Sequence, residues 1–334
     1  MILEVHAINN DDSNSGQFLA PDATRVRELV SHAPLRDLWK GRVLPLRSIA
    51  IRTWNAILAD RLFGRAAELG FYFLFALFPT LFSASSLLGL AAKSADQIYD
   101  RLLHYLALVI PTSALGTVLQ TFNQTTAAAT PGKVTFGLIA AIWSASVGVS
   151  AIQDALNQVY KIPERRSYIR ARIYAIFLTI LLTILITLTL STMLGGDFVA
   201  GIADREIHER IIAFIAGSAA RLIGWTVATC LLALSFAVLY YWAPDLRTRR
   251  WHWVTPGSVV GILGWLLASL GLRLYLHFFN SYSITYGSLG AVIILLTWFY
   301  ITGLMLLVGA EFNSEIEAAA AEASIESGSA FPRA

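Results

Sequence analysis

The stretch "YGSLGAVIILLTWFYITGLMLLVGAEFN" (Tyr286–Asn313) decides what kind of protein this is. Small residues lead into a long apolar run that holds Trp298 and Tyr300. The run closes on Gly309-Ala310-Glu311-Phe312-Asn313. About 20 predominantly apolar residues suffice for an α-helix to cross the hydrocarbon core of a bilayer. The pattern therefore reads as a membrane span, and it raises a question: why such a span should end on a glutamate.

The whole chain extends that reading. Of its 334 residues 56% are hydrophobic and 14% charged, with a mean hydropathy of +0.61. A soluble domain carries about a quarter charged residues. Six stretches have the length of a span: about 66–90, 134–156, 172–194, 219–242, 254–279 and 289–310. In lipid, backbone polar groups must be satisfied internally, which leaves helices or closed barrels. No run of short alternating strands is visible, so the expected fold is all-α: a polytopic membrane protein of six transmembrane helices. The first 60 residues are too polar for a secretory signal. Cys230, the single cysteine, falls inside the fourth span, which excludes a disulfide framework and a cysteine-based metal site.

Basic residues set the expected orientation, because short loops rich in Lys and Arg stay in the cytoplasm. Nine lie between Arg25 and Arg65. The 157–172 loop has five (Lys161, Arg165, Arg166, Arg170, Arg172), the 243–253 loop three, and the tail Arg333. These 18 face six on the other side (Lys93, Arg101, Lys133, Arg205, Arg210, Arg221). The bias predicts both termini in the cytoplasm and localisation to a bacterial inner membrane.

The domain reading follows. Residues 1–45 form a polar cytoplasmic segment. Residues 46–63 place Leu46, Ala50, Trp54, Ile57, Leu58 and Leu62 on one helical stripe, which suits an interfacial amphipathic helix or a helix packed on a soluble partner. Residues 64–312 are the membrane domain, and 313–334 an acidic cytoplasmic tail. The segment over roughly 92–132 reads as a helical outer cap. Gly195-Gly196-Asp197 is expected to break the third span.

Polar groups inside a span are costly and are candidates for function. Glu68 opens span one, Asp154 and Asn157 close span two, and Glu311 and Asn313 close span six. With Arg170 and Arg172 they form a candidate cluster at the cytoplasmic boundary. It serves either to seal or gate the bundle, or only to mark span ends. Glu311 is expected to pair with Arg170, Arg172 or Asn157. Pro79 lies mid-span, where proline removes a helix hydrogen bond and favours a kink. Thr179, Thr183, Thr187 and Ser191 recur every four residues. They line a polar path, or bond neighbouring helices and their own backbone. Arg273, near the outer end of span five, snorkels outward, pairs with an acid such as Asp197, or contacts an anionic substrate. Gly257, Gly261, Gly264, Ala268 and Gly271 give small-residue packing faces.

No phosphate loop, HExxH or Gly-x-Ser-x-Gly occurs. The six histidines are scattered, and no basic aromatic surface suggests nucleic acid. The expected protein is therefore not an enzyme, carries no cofactor, and has membrane lipids as its partners. Several stretches together resemble the YihY/BrkB family of bacterial inner-membrane proteins. They are "ELGFYFLFALFPTLF" (68–82), "IWSASVGVSAIQDALNQVYKIPERRSYIRAR" (142–172), "PGSVVGILGW" (256–265) and "YGSLGAVIILLTWFYITGLMLLVGAEFNSEIE" (286–317). The family pattern pairs two tyrosines where this chain has Phe71-Tyr72. The resemblance implies six spans with both termini inside. It also carries an old ribonuclease name, which the residues do not support, and an association with serum resistance and lipid or lipopolysaccharide export. The expected function is a non-ATP-driven transporter or exporter of a lipid or other amphiphile. The alternative is a structural membrane protein of the cell envelope.

Overall fold

The structure is a computed structural model, and it describes residues 46–90, 131–206, 209–246, 254–278 and 288–326. The polar segment 1–45 lies outside these, as do the expected outer cap up to residue 130 and the tail beyond Glu326. Every element among the described residues is a helix. In chain order they are α1 (Leu46–Ala59), α2 (Leu62–Leu90), α3 (Pro131–Val159), α4 (Tyr168–Glu206), α5 (Arg210–Trp242), α6 (Pro256–Phe278) and α7 (Ser288–Glu326). Helices α3 to α7 are each long and apolar enough to cross a membrane. Helix α2, with 29 residues, occupies the first expected span. It stays helical across Pro79.

Helix α7 is the hub of the fold and packs on α6, α2, α1 and α3, while α4 and α5 pair with each other. Small residues permit the closest approaches. A Cβ on Gly70 would lie 3.1 Å from the Tyr300 backbone nitrogen, and one on Gly303 would lie 3.0 Å from Leu69 Cβ. Gly257 and Gly261 of α6 face Gly309 and Met305 of α7 in the same way. Large apolar residues such as Phe136, Ile211, Phe214 and Phe278 point outward, as lipid-facing positions do.

One expectation needs correction. The glycines at 195–196 do not break a helix, because α4 runs unbroken to Glu206. The missing side chain at Gly196 serves packing: a Cβ there would lie 3.0 Å from Ala220 O on α5. Helix α7 continues past Asn313, through the first part of the segment expected as an acidic tail. It has 39 residues, or roughly 58 Å of helix, against about 30 Å of bilayer hydrocarbon. Its last turns are covered by protein: Ile316, Ala319 and Ala321 are buried. Helix α1 supplies part of that cover with Ile49, Thr53, Ala56 and Ile57. Of the stripe read from the sequence, Trp54 and Leu58 instead face outward, 56% and 52% exposed.

Candidate functional site

The polar residues converge where α7 meets α1, α6 and the link after α3. That link must reverse the chain between Val159 and Tyr168. Lys161 makes the turn in the left-handed region, at φ 56°. Arg61 does the same between α1 and α2, at φ 54°. A non-glycine residue there is uncommon and points to constraint by its surroundings. The two turns bring Asp60 Oδ2 within 3.3 Å of Lys161 Nζ.

Asn157 joins three segments. Its Nδ2 donates to Glu164 Oε2 at 2.8 Å, and its Oδ1 accepts from the Asp245 backbone N–H at 2.8 Å. Arg166 closes this knot: Nη2 donates to Glu164 Oε2 at 2.6 Å and to Ala243 O at 3.0 Å. The Arg166 guanidinium holds the Glu164 carboxyl below its usual range, with further help from Asn157. The end of α5 is thereby tied to the end of α3.

Asn313 joins two further helices. Helix α6 begins Thr255-Pro256-Gly257-Ser258, with proline at its first position, where the missing N–H costs nothing. Thr255 and Ser258 cap each other: the Ser258 N–H donates to Thr255 Oγ1 and the Thr255 N–H to Ser258 Oγ, both at 3.1 Å. The Gly257 N–H, left over at the helix start, donates to Asn313 Oδ1 at 2.8 Å. Asn313 Nδ2 donates to Thr255 Oγ1 at 2.9 Å. The next residue, Ser314, donates its Oγ–H to Val159 O at 3.1 Å. Tyr240 of α5 donates to Leu306 O at 2.8 Å.

Glu311 stands among these residues and bonds to none. It is fully buried, and neither carboxylate oxygen has a hydrogen-bond partner. The pairing expected with Arg170, Arg172 or Asn157 does not occur. Arg172 lies over the Trp143 ring at 4.3 Å from its centroid and donates to Ser150 Oγ and Trp143 O, both at 3.3 Å. Arg170 is exposed, and Asn157 is committed to Glu164 and Asp245. The charges that act on Glu311 are Asp60, Lys161 and Glu315.

The remaining candidates disperse. Glu68 is exposed and pairs with Arg65 at 3.2 Å. Asp154 is also exposed and shares that edge with Glu68 and Arg65. Thr179, Thr183, Thr187 and Ser191 each donate to the carbonyl four residues back, at 2.7 to 2.8 Å. Thr183, Thr187 and Ser191 are exposed. Arg273 is half-buried on α6, and Asp197 pairs with Arg221 at 3.4 Å. Among the described residues, no three His, Cys, Asp or Glu side chains converge as metal ligands.

Several participants escaped the sequence reading. Arg52 of α1 bonds both Glu315 and Glu322 of α7. Gln153 of α3 is 2% exposed with its Nε2 unpartnered. The signal for Gln153 was available, as an amide within an apolar span. The signal for Arg52 was not, since nothing local marks its partners.

Comparison with known proteins gives a consistent family. The family described as Virulence factor BrkB matches residues 53–331. The ribonuclease-like protein YfkH of Bacillus subtilis (strain 168) is 36% identical over 250 residues, 75% of this chain and 88% of its own length. A UPF0761 membrane protein of Stenotrophomonas maltophilia (strain R551-3) is 26% identical over 281 residues, 79% of this chain. One of Xanthomonas oryzae pv. oryzae (strain PXO99A) is 26% identical over 267 residues. The chain spans 60% of the length of each of these two UPF0761 proteins. No solved structure matches the chain.

Proposed function

For this chain, which belongs to the Virulence factor BrkB family of membrane proteins, we propose the role of a non-ATP-driven transporter or exporter. The substrate class is a lipid or another amphiphilic, anionic molecule. One observation carries the reading. Polar atoms of Ser144, Gln153, Ser269 and Glu311 are buried in the helices and have no hydrogen-bond partner. Each such group costs about 1–3 kcal/mol, and a bundle that only scaffolds would gain nothing from keeping them. Buried polar groups without partners inside a membrane protein are candidate positions for a bound or passing molecule.

The seat of the protein is the inner membrane, with both termini cytoplasmic. The distribution of basic residues supports this, and so does the bond from Arg52 to Glu322, which keeps the first and last described helices at one end of the bundle. Arg273, near the opposite end, is the candidate anion contact. No catalytic step is assigned, and the ribonuclease-like wording attached to YfkH is not carried over. The charged groups gathered at the polar core are mostly engaged with one another.

The scaffolding alternative draws support from the close glycine contacts of α6 and α2 with α7. Reconstitution in liposomes decides between them. Purified protein is tested with labelled lipids and small anions for movement above protein-free vesicles, alongside Gln153→Leu. Movement of one class, reduced by the variant, is the expected result. Folded protein that moves none of the panel favours the scaffold.

A further inference from the structure

Glu311 invites a question that the packing of α7 does not answer. A glutamate at a span end ordinarily reaches water or a basic partner, and this one reaches neither. The polar groups on the neighbouring elements are mostly committed elsewhere, and on the link after α3 the buried Tyr160 phenol stands near Asn313 and Glu311. On α1, Arg52 is held by Glu315 and Glu322. On α2, Arg65 and Glu68 pair with each other at the exposed edge. On α3, Asn157 is bonded to Glu164. On α5, the Tyr240 hydroxyl is spent on Leu306 O. At the start of α6, the Thr255 hydroxyl and Gly257 N–H engage Asn313. The charges left to act on Glu311 are Asp60, Lys161 and Glu315. Of these, Asp60 and Lys161 already form an ion pair.

An ionised carboxylate without donors, removed from water, is far costlier than the neutral acid in the same place. The group must therefore carry either a proton or a bound cation. The surroundings select the proton. A second cation would sit beside the Lys161 ammonium, and no further carboxylates converge to ligate one among the described residues. Asp60 and Lys161, whose charges act on Glu311, are themselves in part exposed, at 22% and 31%.

We propose that Glu311 is a proton-binding site: its carboxyl is held neutral in the closed core and exchanges its proton with water past the Asp60–Lys161 ion pair. On uptake, an oxygen of Glu311 forms an O–H bond to a proton released by hydronium, leaving water. On release the same bond breaks, and water takes the proton. Such a site would supply the coupling that an exporter without ATP requires, and to that extent it rests on the transport reading.

Infrared spectroscopy tests the site without any transport. Protein in liposomes is examined at neutral pH, as wild type and as Glu311→Gln, Glu315→Gln and Asp60→Asn. The expected wild-type spectrum contains a protonated-carboxyl band that shifts in deuterated water. With Glu317→Gln as a common background, because Glu317 is a second, partly buried carboxyl on α7, the band should be lost in Glu311→Gln and kept in Glu315→Gln. In Asp60→Asn its titration midpoint should move by about tenfold in proton concentration, as removal of a nearby like charge does. If Glu311→Gln does not fold, the shift caused by Asp60→Asn decides the assignment. A wild-type spectrum without the band, or a band that survives in Glu311→Gln, overturns the proposal. So does a band that disappears as sodium rises at fixed pH, which would make this a cation site. A failed transport assay would leave these spectra unchanged, so the two readings fail separately.

Discussion

Arg52 of α1 grips Glu322 of α7, 270 residues later, through two parallel bonds of 2.7 and 2.8 Å, while its Nε donates to Glu315 at 2.9 Å. The paired arrangement is the strong, directional form of an arginine–carboxylate contact. It fastens the helix before the first span to the end of the last one. Because both side chains remain partly exposed, solvent screening keeps the coupling on the order of 1 kcal/mol. A double-mutant cycle of Arg52→Gln and Glu322→Gln, read as melting temperature in detergent, should show that coupling. Strict additivity of the two variants would mean that the fork contributes nothing to holding α1.

Glu164 gives the fold a defined acid limit. Hydrogen bonding from Arg166, opposed in part by desolvation, places its carboxyl below the ordinary value of 4.5. The unfolded chain therefore binds a proton more readily than the folded one. The contribution is fully present above the unfolded value and is lost as pH falls through the lower folded value. Melting temperatures measured between about pH 7 and pH 3 should decline at the acid end. Glu164→Gln should lower stability near neutrality and flatten that decline. A variant with the wild-type slope would show that other carboxylates set the acid limit.

The glycines of α6 make separable predictions. A Cβ on Gly257 would run into the Gly309 carbonyl oxygen and the Asn313 side chain. Backbone cannot yield there, so Gly257→Ala should cost upwards of about 3 kcal/mol. Gly264 faces the Met305 sulfur at 2.8 Å, and a thioether can rotate away, so Gly264→Ala should be mild. Gly271 has nothing within 4 Å, and Gly271→Ala should gain about 0.5–1 kcal/mol of helix propensity. Thermal unfolding of the three variants in detergent should follow that order. An equal response would separate this face from α7.

Orientation can be read by labelling. In a Cys230→Ala background, a cysteine at Ser167 or Thr248 should be protected from an external impermeant thiol reagent, and one at Ser94 should react. The opposite pattern would reverse the topology and move the polar core to the outer face.

What the sequence determined by itself was the class of the molecule. Long apolar runs admit only helices in lipid, and the excess of basic residues between them fixes an expected orientation; both are properties of local composition. It also marked Glu311, Asn313 and Asn157 as polar residues out of place. What those residues do was decided by the tertiary structure, because hydrogen bonds join groups that are distant in the chain. Asn313 caps α6, 56 residues earlier, and Asn157 receives the Asp245 N–H, 88 residues later. The basic residues expected beside Glu311 are elsewhere: Arg172 is spent on Trp143 and Ser150, and Arg170 is exposed. The sequence placed Glu311 at a boundary, where water or arginine would satisfy it. Only the packing of α1 over the end of α7, and the turns at Arg61 and Lys161, closed that boundary and left the carboxyl dry.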